Sequence, residues 1–157
     1  MDSCSDHMIL ADELLPLLRE HLAMGQKIHY LPFQGVSMLP MLRQHFDSVE
    51  LAPLPDKLKK YDLPVYQYPS GKVVMHRIVK VREQDYICLG DNTYSYEYIR
   101  PEQMIALVSA FKRGEQRIEV TNPLYRAYAR IWVAIYPLRK FLRLLRRCLG
   151  KIRRMLK

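Results

Sequence analysis

The sequence predicts a mainly β fold, α+β overall: a small antiparallel β barrel or sandwich with an N-terminal helix and a basic amphipathic C-terminal helix. Three observations predict it. Short β-rich runs separated by turn residues fill the middle of the chain. An apolar stripe at helical spacing precedes them, and a second one, set among arginines and lysines, follows.

Residues 8–25 carry the first stripe, with Ile9, Leu10, Leu14, Leu17, Leu18 and Leu22 at helical spacing. Asp6 is placed to cap this helix and Gly25 to end it. Pro16 falls inside and predicts a kink or break. This segment, 1–26, reads as a packing helix.

Residues 27–121 form the body. Its clearest strands are Val49-Glu50-Leu51, Pro64-Val65-Tyr66, Lys72-Val73-Val74, Ile78-Val79-Lys80-Val81 and Tyr86-Ile87-Cys88-Leu89. Pro69-Ser70-Gly71 reads as a hairpin turn between two of them.

Residues 122–157 form the tail. Leu124, Tyr128, Ile131, Ile135, Leu138, Leu142, Leu145, Leu149, Ile152 and Leu156 recur at alternating spacings of four and three, one seam on one helix. Pro137 predicts a kink in it. The tail has 11 Lys+Arg and no acid, whereas residues 1–121 have 14 Lys+Arg against 16 Asp+Glu. The net charge of +9 therefore resides wholly in the tail. A basic amphipathic helix with Tyr128, Trp132, Tyr136 and Phe141 suits an anionic bilayer surface. A partner helix, or packing on the body with a solvated end, are the other readings. Nucleic acid comes last, since no recognition module accompanies the charge.

A membrane-crossing helix needs about 20 apolar residues. The best uncharged run in the tail, 131–138, has eight. Acids at 2, 6, 12 and 13 interrupt the N-terminus, so it does not read as a signal peptide. Cys4, Cys88 and Cys148 are far apart and form no CxxC pair, so neither a zinc site nor a disulfide framework is expected. No metal or cofactor is expected. Together these features predict a cytoplasmic protein, peripheral at the inner membrane face.

Chemistry concentrates in three stretches of the body. Gly35-Val36-Ser37-Met38-Leu39-Pro40 offers a hydroxyl on a tight turn, with backbone N–H groups for an oxyanion. Val73-Val74-Met75-His76-Arg77-Ile78-Val79 places a histidine in an apolar run. Alternation there sets Val74, His76 and Ile78 on one face and Met75, Arg77 and Val79 on the other. An imidazole suits general-base work near neutrality. Leu89-Gly90-Asp91-Asn92 is an acidic turn after a strand, with Glu97 close behind; either acid is able to orient an imidazole. Taken singly, each is also a turn serine, a structural histidine, an Asx turn or a surface acid.

Together, in this order, they resemble the clan of signal peptidase I and LexA-type serine peptidases. The resemblance spans about residues 33–111 and adds Phe46-Asp47-Ser48-Val49 and Tyr61-Asp62-Leu63-Pro64-Val65 to the blocks already quoted. It implies a fold of that type, with Ser37 as nucleophile and His76 as base. A histidine there is the pattern of the endoplasmic-reticulum-type branch rather than the lysine of the bacterial one. Asp91 matches the acid of the Gly-Asp-Asn block, and Glu97 stands where the histidine branch has a further Asp. The resemblance leaves the choice between Asp91 and Glu97 open. Gly35 replaces a serine that serves bacterial relatives as oxyanion donor, so the hole rests on backbone N–H groups of Ser37 and Gly35. Phe33, Met38, Leu39 and Met75, flanking the serine and histidine, are the substrate-binding candidates. Only 36 residues precede Ser37, too few for a DNA-binding domain and linker, which argues against a self-cleaving repressor. The implied activity is cleavage of a leader, signal or precursor peptide by acyl transfer. An inactive peptide-binding relative and a membrane- or partner-docking module are the alternatives.

Overall fold

The computed structural model describes residues 6–32 and 35–155, with side chains over 15–29 and 35–148. It is an α+β fold of antiparallel sheets and three helices. The chain runs α1 (Asp6–Ala23), β1 (Ile28–Pro32), β2 (Asp47–Ala52), β3 (Pro64–Gln67), β4 (Val73–Met75), β5 (Arg77–Val81), β6 (Tyr86–Leu89), β7 (Glu97–Ile99), β8 (Met104–Arg113), β9 (Gln116–Glu119), α2 (Pro123–Ala134) and α3 (Tyr136–Met155).

Six strands form one sheet in the order β1-β2-β8-β3-β4, with β9 also paired to β8. Three form a second sheet, β5-β6-β7. Neither closes into a barrel, which corrects that half of the sequence expectation. The hairpin expected at Pro69-Ser70-Gly71 joins β3 to β4, with Gln67 opposite Val73. Gly71 takes a φ of +86°, which glycine adopts without steric cost. Its N–H donates to the Tyr68 carbonyl at 2.9 Å.

The strand run around His76 does not alternate as the sequence suggests. β4 ends at Met75 and β5 begins at Arg77, so the chain changes sheets at His76. Met75, His76, Arg77 and Ile78 are consecutively buried. A chain passing between two layers has neighbours on both sides, so simple alternation of buried and exposed residues fails there.

Two apolar cores meet at β3. One holds Leu15 and Leu22 of α1, Met38, Leu42, Val49, Leu51, Val65, Val108, Phe111 and Tyr125 of α2. The other holds Tyr66, Ile78, Cys88, Ile99 and Met104. α1 continues through Pro16, and Gly25, at φ +75°, stands just past its end as expected. The capping role expected of Asp6, and the part of the stripe from Ile9 to Leu14, lie outside the described side chains. Leu15 rather than Leu17 is buried, so the packed face is rotated from the expected stripe.

The tail is two helices. Asn122 caps α2, its side-chain oxygen accepting from the N–H groups of Leu124 and Tyr125. Pro137 cannot donate to a preceding carbonyl, and the helix breaks at Ile135, two residues before it. The buried face of α2 is Tyr125 and Ala129, continued by Tyr136. Of the expected seam here, Leu124 is 82% and Ile131 60% exposed, whereas Tyr128 and Ile135 are half-buried. The aromatic residues explain this. Tyr125 packs edge-on to Phe111 at 5.2 Å, and Tyr128 stacks on Trp132 at 5.6 Å, so the rings face the body. α2 therefore belongs to the packing of the body, and α3 carries most of the free apolar surface. Among the described residues no helix is long and apolar enough to cross a membrane.

Candidate active site

The break at His76 sets its ring between the sheets. His76 is buried, and its Nδ1–H donates to Glu97 Oε2 at 2.7 Å. Glu97 opens β7 and pairs with Cys88 across β6. Tyr66, on β3 of the other sheet, donates its hydroxyl to the same Glu97 oxygen and lies 3.1 Å from His76 Nδ1. A carboxylate accepts only, so it fixes the imidazole proton on Nδ1 and leaves Nε2 as a lone-pair acceptor. Nε2 is buried and has no hydrogen-bond partner among the described residues. Ser37 does not supply one: no hydrogen bond joins its hydroxyl to Nε2.

Burial pushes the Glu97 carboxyl up, but hydrogen bonds from His76 and Tyr66 outweigh it and hold Glu97 below its ordinary 4.5. Burial and the neighbouring Glu97 charge push the Cys88 thiol up to about 12, which keeps it neutral. Burial and the hydrogen bond to Glu97 likewise raise Tyr66, so it stays a donor. A carboxyl depressed in the folded state contributes stability above its ordinary value and loses it as pH falls through the folded value. Unfolding by urea should therefore become easier as pH drops below 4.5. Glu97→Gln should flatten that slope, leaving the shares of Asp47 and Glu50, which are also held low.

Ser37 reaches this ring through Gly90. A Cβ on Gly90 would stand 2.8 Å from the Ser37 carbonyl and 2.9 Å from His76 Cδ2. The serine loop and the imidazole therefore both crowd the space where a side chain at position 90 would stand. Asn92 clamps the loop: its N–H donates to the Ser37 carbonyl at 2.7 Å and its Nδ2 to the Val36 carbonyl at 3.1 Å. Gly35, at φ +95°, supplies the turn that sets Ser37 beside them. Gly90→Ala has no room on three sides, the third being Thr93 Cγ2 at 2.8 Å. It should cost about 1–3 kcal/mol in stability, read by chemical denaturation. It should also separate Ser37 from His76.

The two candidate acids have different partners. Asp91 does not contact His76. Its carboxylate takes Arg77 Nε at 2.9 Å and the second guanidinium nitrogen at 2.8 Å, plus the Tyr128 hydroxyl at 3.2 Å. Arg77 is fully buried and also donates to the Tyr125 hydroxyl at 2.8 Å. The Asp91 carbonyl accepts from Trp132 Nε1 at 3.0 Å and Arg139 at 2.6 Å. Asp91 thus fastens α2 and α3 to the body, while Glu97 holds the imidazole.

Met38 is 0% exposed and Met75 is buried, both in the larger core, so neither offers a surface for substrate. That corrects the substrate-binding expectation for both: apolar residues beside the serine and histidine fill the space beneath them. Leu39 is half-buried at the turn. Phe33 lies outside the described residues. Tyr66 and Arg77 were not expected. Tyr66 is 31 residues from Glu97, and no local pattern signals that meeting. Arg77 carries a readable signal, a charge inside an otherwise apolar run. No group of His, Cys, Asp and Glu able to hold a metal occurs among the described residues.

Comparison with family models, with curated proteins and with solved structures finds no match for this chain.

Proposed function

We propose that the chain is a serine endopeptidase similar to the signal-peptidase clan, acting on a leader, signal or precursor peptide. The observation that carries the reading is the His76–Glu97 pair, with the ring's Cδ2 and the Ser37 carbonyl both bordering the same Cβ position of Gly90. Ser37 Oγ attacks the peptide carbonyl carbon as Nε2 takes its proton. Backbone N–H groups at Gly35 and Ser37 receive the oxyanion. The C–N bond then breaks, Nε2 returns the proton to the leaving amine, and water hydrolyses the acyl ester by the same route. Glu97 keeps the ring in the required tautomer and balances the imidazolium. β4 ends one sheet and β5 the other, and both adjoin His76. An extended peptide pairing with either edge reaches the imidazole.

The tail supports placement on an anionic membrane surface. Leu138, Phe141, Leu142, Leu144 and Leu145 of α3 are exposed, Phe141 by 58%, among cations with no acid. Such a helix lies in the interface with its apolar face down.

The test is mass spectrometry of a mixed peptide library incubated with the native chain or Ser37→Ala, with anionic vesicles present. Cuts made by the native chain alone support the peptidase reading. The same cuts by both proteins overturn it. No cuts, together with no labelling of Ser37 by a fluorophosphonate probe, leave the inactive, peptide-binding alternative.

A further inference from the structure

Beside the candidate active site, α3 and the turn after β6 enclose a cleft of about 480 Å3. Asn92 and Tyr94 form one wall; Arg139, Leu142, Arg143 and Arg146 form the other. The arginines stand at i, i+4 and i+7, one face of a helix. Among the described residues no carboxylate lines the cleft. Two of the guanidinium groups are held. Arg139 donates to the Asp91 and Trp132 carbonyls and lies 4.1 Å from the Trp132 ring centre. Arg143 lies 4.2 Å from that of Tyr94. Guanidinium groups already fixed in place lose little freedom on meeting a phosphate, which they bind through paired N–H donors.

The cleft's apolar wall points to the source of the phosphate. Leu142 is shared between the cleft and the exposed stripe of Leu138, Phe141 and Leu145. A ligand filling both has an anionic head and an apolar tail.

We propose that this cleft binds the phosphate of an anionic phospholipid, whose acyl chains lie along the exposed leucines and Phe141 of α3. The choice of source rests on the membrane reading of the tail and needs nothing from the peptidase chemistry. The site abuts the serine loop: Asn92 in its wall is the residue that clamps Val36 and Ser37. A lipid bound here sits one residue contact from the candidate nucleophile.

The experiment uses the full chain. Vesicles of phosphatidylglycerol and phosphatidylcholine, or of phosphatidylcholine alone, are sedimented with wild type, with Arg143→Gln/Arg146→Gln, and with Lys140→Gln/Arg147→Gln. Both doubles remove two cations from α3, but only the first pair lines the cleft. In parallel, the amide resonances of Asn92 and Tyr94 are followed on adding soluble dihexanoyl phosphatidylglycerol or inorganic phosphate. The proposal expects the cleft double to lose about tenfold more affinity for anionic vesicles than the control double. It also expects shifts at Asn92 and Tyr94 with the lipid, absent in the cleft double. Equal losses in the two doubles overturn it and leave a diffuse basic surface on the membrane. Equal shifts with inorganic phosphate overturn the lipid as ligand. Failure of wild type to bind anionic vesicles overturns both the cleft and the membrane reading, while peptide cleavage stands or falls separately.

Discussion

Glu97→Gln is expected to lower kcat about ten-thousandfold while KM stays near its native value. The reason lies in the proton on the imidazole. Tyr66 and His76 Nδ1 both meet Glu97 Oε2, so the amide sets one group against both. With the nitrogen there, its N–H drives the ring proton to Nε2 and the base is lost; with the oxygen there, the imidazolium has no charge to balance it. The edges of β4 and β5, proposed to receive the peptide, are untouched, so ground-state binding should persist. Steady-state kinetics beside a denaturation curve check it. A loss of less than tenfold in kcat, with the fold intact, would remove Glu97 from the mechanism. Glu97→Asp is the second arm: the shorter side chain should recover part of kcat, because it restores an acceptor.

Asp91→Ala is expected to act through stability instead, costing about 3–5 kcal/mol and lowering Tm by about 10 °C. Arg77 is fully buried with its charge neutralised by Asp91 at two contacts. Removing the carboxylate leaves a guanidinium in an apolar interior with the Tyr125 hydroxyl as its main remaining acceptor. Tyr128 loses its acceptor at the same time. The double variant Arg77→Met/Asp91→Leu should recover most of the loss, since no charge is then left unpaired. Calorimetry of the three proteins separates the outcomes. If Asp91→Ala melts with wild type, the pair does not anchor α2. The two acids six residues apart are thereby told apart by experiment: one governs turnover, the other the melting point.

How much of this was readable in the residues depends on where the information lies. The five strand runs of the body and the Pro69-Ser70-Gly71 turn were legible because turn residues and β-branched pairs mark them locally. β8 was not, although it is the longest strand and binds β2, β3 and β9. Its first half, Met104-Ile105-Ala106-Leu107, uses residues that serve a helix equally well, and its burial on both faces removes the alternation that betrays a strand. Ser37, His76 and Glu97 were legible as candidates through the order and spacing of short blocks. The choice between Glu97 and Asp91 was not, because it turns on which side of the Gly90 turn each chain segment leaves. The tail seam was legible only in part: its Tyr128 does face the body and reach Asp91, but Tyr125, one position from Leu124, takes the buried place because its hydroxyl meets Arg77.

The change of sheet at His76 has a consequence for how the protein comes apart. Tyr66 belongs to the six-stranded layer, Glu97 to the three-stranded one, and the imidazole bridges them. Amides of β6 and β7 therefore report on the integrity of the proposed catalytic geometry more directly than those of β2 and β8. Sub-global opening of the small layer withdraws Glu97 while the large layer keeps its hydrogen bonds. Inactivation on warming then tracks exchange at β6 and β7, and it precedes loss of the bulk circular dichroism signal carried by the larger sheet and the helices.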